Sequence, residues 1–220
     1  MESAKTDTAG AAPVRVWDGP LRLWHWSFAA CIGCSLYTGL SGDIGLIQWH
    51  MRSGYAVLGL LVFRLGWLCW GGLHARWSTF RITPARAIAF LRGVPVPGAR
   101  TAPGVALVIG MFMAVGLQAV AGLFTSDFIF TDGPLVRHAS SATVKLMSGL
   151  HHQVFWVIVA LIGVHLTAHV VYAIRRDPTP LSMITGRKRV DVPPTPHFWV
   201  RALLTAAGAG ALVWFVLGLF

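Results

Sequence analysis

Five long apolar stretches, separated by polar or basic connections, organise the chain. They run from about Leu21 to Leu40, Trp49 to Trp70, Gly104 to Phe124, Gly149 to Arg176 and Phe198 to Phe220. A helix needs about 20 apolar residues to cross hydrocarbon, so each stretch reads as a transmembrane helix. Asp18-Gly19-Pro20 signals the start of the first, and Trp17, Trp24 and Trp26 cluster where an interfacial aromatic belt belongs. Ser41 to Gln48 is a short polar link. The connection from Gly71 to Pro103 is hydrophilic, and the pattern from Pro84 to Arg92 predicts a short amphipathic helix lying on the membrane surface. Thr125 to Ser148 reads as a loop. The third stretch has no histidine and no charge, with Gln118 its only strongly polar group. The first, second and fourth each carry histidine.

Composition points the same way. Of the 220 residues, 55% are hydrophobic and 12% charged, with mean hydropathy +0.63. Soluble domains carry about 25% charged residues, so one integral membrane domain is the economical reading. A net charge of +10 would suggest nucleic acid in a soluble protein. Here the basic residues lie between apolar stretches and no basic-aromatic module is visible, which argues against nucleic acid. Lys5, Arg15, Arg22, the five arginines of the second connection and the six basic residues from Arg175 to Arg201 fall on one side. Arg52, Arg137 and Lys145 fall on the other. The positive-inside bias then puts the amino terminus in the cytoplasm and the carboxyl terminus outside. Residues 1–14 lack a signal-peptide core and read as a disordered cytoplasmic tail. Cys31, Cys34 and Cys69 read as small packing residues, since Ser35 breaks the C-x-x-C-H pattern of a c-type haem site.

Intramembrane histidines are costly and need a use. His151 and His165 are 14 residues apart, which places them within about 40° of one helix face and roughly 21 Å apart along it. With alternating helix directions, His25 and His165 lie near the cytoplasmic side and His50 and His151 near the outer side. Haem iron takes axial histidines, and helical bundles build such sites from facing helices. Two bis-histidine b-type haems stacked across the membrane would use all four. His169 shares the face of His151 and would suit His25 as well as His165 does. His152 points about 100° away from His151. His74, His138 and His197 fall in connections and read as structural or solvated. A proton or ion transporter would want polar groups on several helices, and a metal permease carboxylates beside the histidines. Neither pattern is present.

The set VRVWDGPLRLWHW at 14–26, WHMRSGY at 49–55, FRLGW at 63–67, LHH at 150–152, GVH at 163–165 and SMITGRKR at 182–189 resembles the bacterial cytochrome b561-like di-haem cytochromes. Such cytochromes also serve as membrane subunits of nickel-iron hydrogenases and related dehydrogenases. The resemblance implies an all-α integral membrane fold of the bacterial inner membrane: a four-helix di-haem bundle over residues 15–190, followed by a linker and an extra fifth helix over 191–220. It implies His25, His50, His151 and His165 as axial ligands of two haem b groups, and Arg64 as a contact for haem propionates. Expected partners are lipid, quinone and a periplasmic dehydrogenase, hydrogenase or cytochrome c, with stand-alone superoxide:quinone oxidoreductase as the variant activity. The chain departs from many relatives in carrying His152, where they have an acidic residue.

Overall fold

The computed structural model describes residues 12–80, 83–92, 101–190 and 192–218. Residues 1–11 of the expected tail, and Arg81 and Arg100 of the basic connection, lie outside that set. About three-quarters of the described residues are helical. The long helices are α1 (Gly19–Leu40), α2 (Ile47–Trp70), α4 (Ala102–Leu123), α5 (Ser141–Ile174) and α7 (Trp199–Gly218), with short α3 (Pro84–Leu91) and α6 (Thr179–Thr185) between them. The short helix expected from Pro84 is α3. Strands β1 (Val14–Arg15) and β2 (Arg187–Lys188) pair antiparallel, Val14 opposite Lys188, so the last residue assigned to the tail is part of a strand.

Four helices, α2, α4, α5 and α7, are long and apolar enough to cross a membrane. Helix α1 has the same 22 residues as α4 but is diluted by Arg22, His25, Ser35 and Thr38. It runs antiparallel along α2, with Trp24 Nε1 donating to Leu60 O (2.7 Å) at one end and His50 meeting Ser35 at the other. Helix α1 thus lies alongside α2, which is itself long and apolar enough to cross a membrane. Helix α4 packs along α5, and α2 joins the two pairs by touching α4.

Helix α5 starts eight residues earlier than the hydrophobic pattern suggested. Ser140 caps it, its side chain accepting from Thr143 N, and 34 residues follow. At 1.5 Å per residue that is roughly 51 Å, well over the about 30 Å of a hydrocarbon core, so the first turns extend beyond it. They are too polar to register as a span. The preceding loop folds back on them: Ser126 N donates to Ser148 Oγ (3.1 Å) and Ser126 bridges to Asp132. Asp127 Oδ1 accepts from the amides of Ile129, Phe130 and Thr131 at 2.8–2.9 Å.

The extra helix α7 lies on the far face of α2. Ala202 and Ala209 sit in one core with Phe63 and Trp67, and a Cβ on Gly66 would strike Thr205 at 2.8 Å. Small residues on both sides let the two backbones approach closely. Trp70 Nε1 donates to Thr205 Oγ1 (2.9 Å), and Arg201 donates to Trp70 O.

The end of the bundle that holds the amino-terminal segment is knit by a buried carboxylate. Asp18, 1% exposed, caps α1 by accepting from Leu21 N (2.8 Å) and also accepts from Trp67 Nε1 (3.3 Å). Gly72 lies so close that any Cβ there would collide with the carboxylate. Burial raises the Asp18 pKa despite the opposing bonds from Leu21 and Trp67. Val16 N and Trp17 N donate to Gly186 O, and Thr195 N to Arg15 O, so the chain's two ends of the domain are held together. Trp17 and Trp24 correct the sequence reading: they are 6% and 8% exposed and belong to the core, while Trp26 at 51% faces outward.

Two outcomes follow from these contacts. Asp18→Ala removes a helix cap and leaves Trp67 without an acceptor; a loss of about 1–2 kcal/mol should appear as a lower Tm in detergent, whereas Asp43→Ala, at an exposed 3-10 turn, should leave Tm unchanged. The amides of Thr131, Ile129 and Phe130 hold the Asp127 carboxyl below its ordinary value of 3.8. A depressed folded-state pKa stabilises above the unfolded value and is lost as pH falls through the folded one. Hydrogen exchange at these three amides should therefore stay slow through the ordinary carboxylate range and accelerate only below it.

Candidate functional site

The four candidate ligands occupy two levels of the bundle. At the end where α1 stops and α2 starts, His50 and His151 come together, their ring centres 6.0 Å apart and their planes crossed at 85°. His50 Nδ1 lies 3.0 Å from Ser35 O and 3.3 Å from Thr38 Oγ1; Thr38 already donates to Cys34 O, so Nδ1–H is the donor to both. His151 Nδ1 lies 3.1 Å from Gln118 O. A carbonyl can only accept, which fixes the proton on Nδ1 of each ring and leaves Nε2 with its lone pair for a metal. Two metal–nitrogen bonds of about 2 Å would put imidazole centres roughly 6 Å apart, as these are.

At the other level, His25 on α1 lies within electrostatic reach of both His165 and His169 on α5. The latter two are one turn apart with ring centres at 4.5 Å. His25 Nδ1 and His169 Nδ1 are buried and have no hydrogen-bond partner. Helices α1 and α5 each pack mainly on other neighbours, α2 and α4 respectively. The histidines thus sit between helices rather than within a tight helix pair. His152 is exposed, its ring 6.4 Å from that of His151.

Arg64 is 3% exposed and lies at the His25 level. One guanidinium nitrogen donates to Ala75 O (3.2 Å), and the group sits 5.6 Å from Trp24, 5.7 Å from Phe80 and 5.9 Å from Phe112 ring centres. Its other terminal nitrogen is buried without a partner. Trp24, Phe28 and Phe112 stack beside it, linking α1 to α4. A buried cation with a spare donor in an aromatic setting is suited to an anionic group of a bound ligand.

The chain matches the model of the prokaryotic cytochrome b561 family over residues 16–186. The chain belongs to that family. No curated protein and no solved structure matches it significantly. As a cytochrome b561 it is a multi-pass membrane protein that transfers electrons across the bilayer by means of b-type haem. The matched residues include His25, His50, His151, His152, His165 and His169 and end before α7.

The residues here fit such a group: two imidazoles with Nδ1 engaged and Nε2 open, a further buried histidine without a partner opposite two others, and a buried guanidinium with a free donor. Sequence reasoning named the imidazoles and Arg64 but missed what holds them. The carbonyls of Ser35 and Gln118 carry no side-chain signal. The connection histidines have structural bonds. His74 Nε2 donates to Pro193 O (2.8 Å), Gly19 N donates to His197 Nδ1 (2.8 Å), and Arg137 Nε donates to His138 Nε2 (2.9 Å). His74→Ala should therefore lower Tm yet leave the haem content and the reduced-minus-oxidised spectrum of the cytochrome as in the parent.

Proposed function

We propose that the chain holds two b-type haems, one between His50 and His151 and one between His25 and His165, and relays electrons between the quinone pool and a redox subunit in the periplasm. The crossed His50–His151 pair, with both Nδ1 atoms committed to backbone carbonyls, supports this best. Haem supplies a one-electron carrier whose potential the surrounding protein sets. The chain's part is to supply neutral imidazoles of fixed tautomer, a low-dielectric bundle and a counter-charge in Arg64. The concentration of Arg and Lys on the connections beside the His25 level favours a cytoplasmic position for that level.

Haem per chain decides the reading. The parent should bind two. His50→Ala and His151→Ala should each lose one and the same spectral component, and His25→Ala and His165→Ala the other. His169→Ala should keep both; if it loses the second component while His165→Ala keeps it, the ligand is His169. A colourless parent refutes the whole reading.

Arg64 faces the inner level. A unit positive charge about 10 Å from a redox centre, at an effective dielectric of about 20, favours the reduced form by roughly 1.7 kcal/mol. Arg64→Met should therefore lower the midpoint potential of the inner haem by several tens of millivolts and leave the outer one nearly unchanged, with Arg64→Lys intermediate. Redox titration resolves the two.

A further inference from the structure

The two outer histidines are held by the same local device on two unrelated helices. His50 donates to the carbonyl of Ser35 on α1, and the residue four positions on, over that carbonyl, is Gly39. His151 donates to the carbonyl of Gln118 on α4, and four positions on is Gly122. A Cβ on Gly39 would lie 3.0 Å from His50 Cε1 and 3.2 Å from its Nδ1. On Gly122 it would lie 3.1 Å from His151 Cε1 and 3.3 Å from its Nδ1. In an α-helix residue i+4 stacks over residue i on the same face, so only a residue without a side chain lets an imidazole from a neighbouring helix lie edge-on against carbonyl i. The two instances agree to about a tenth of an ångström.

We propose that Gly39 and Gly122 are positioning residues for the outer haem: each opens the notch through which a ligand imidazole reaches its carbonyl, and together they hold the two rings crossed. This rests on the proposal that His50 and His151 are the outer axial pair. An added methyl would not be absorbed by a free ring, because each imidazole is tied at Nδ1 by the carbonyl and, with haem bound, would be tied at Nε2 by iron. The ring must tilt, its Nδ1–H···O bond lengthen, and its donor strength toward iron fall.

The other glycines supply the controls. Gly33 on the same helix as Gly39, and Gly110 on the same helix as Gly122, would meet nothing within 4 Å. Alanine is the better helix former, so a merely structural role would leave all four variants as stable as the parent or more so. The experiment is ferric EPR and redox titration of detergent-purified cytochrome carrying Gly39→Ala, Gly122→Ala, both together, Gly33→Ala or Gly110→Ala, beside His50→Ala. Crossed imidazoles give a strongly anisotropic low-spin signal. That signal should shift in each of the first two variants, with a change in the outer haem's potential and the inner haem's signal unmoved. The double variant should lose about half its haem, falling from two per chain toward one. Gly33→Ala and Gly110→Ala should match the parent. If Gly39→Ala and Gly122→Ala also match the parent while His50→Ala loses the outer signal, the glycine assignment is wrong and the ligand assignment stands. If His50→Ala keeps the outer signal, the ligand assignment fails and takes this inference with it.

Discussion

An unpaired polar group in hydrocarbon costs several kcal/mol, and nearly every internal contact of this bundle answers that constraint. Ser35 and Ser53 bond each other at 2.6 Å, Thr38 turns back on Cys34 O, and Trp24 reaches Leu60 O. His50 and His151 find backbone carbonyls on neighbouring helices. Among the described residues the exceptions are the buried, unpartnered Arg22 Nε, His25 Nδ1, Arg64 Nη1, His169 Nδ1 and Gln118 Oε1; His25, His169 and Arg64 share one level of the bundle. Buried basic groups left open at that level suit a ligand that can bond to them.

Much of this was legible in the chain. Runs of apolar residues gave the long helices to within a few residues, because in lipid a helix is the only way to satisfy the backbone of an isolated segment. The depths of His25, His50, His151 and His165 followed from alternating direction. Three features did not follow. The first turns of α5 are helical through their own hydrogen bonds and the Ser140 cap, which hydropathy does not weigh. Trp17 and Trp24 look like interfacial anchors by position, yet are buried because α2 and the carboxyl-terminal segment cover them. The carbonyls of Ser35 and Gln118 are invisible in any sequence, since every residue has one, and their importance comes from helix register alone.

The fifth helix illustrates how an addition can stay outside the chemistry and still matter to it. Helix α7 stacks Trp199 on the connection residue His197 and lies apart from the candidate ligand histidines. It lies along α2, which carries His50 and Arg64, and shields the face bearing Phe63 and Trp67. Without it Trp70 Nε1 would also lose its Thr205 acceptor. The alanines of α7 and Gly66 of α2 make that contact close.

Helix α5 has one further implication. Between His151 and His165 it contains no proline and no interruption of its hydrogen-bond ladder, so their axial offset of roughly 21 Å is a property of one stiff rod. Tunnelling probability decays exponentially with the gap an electron must jump. Under the proposed ligation by His151 and His165, both haems would hang from the same unbroken strut, and the gap between them would hold steady while the surrounding bilayer flexes.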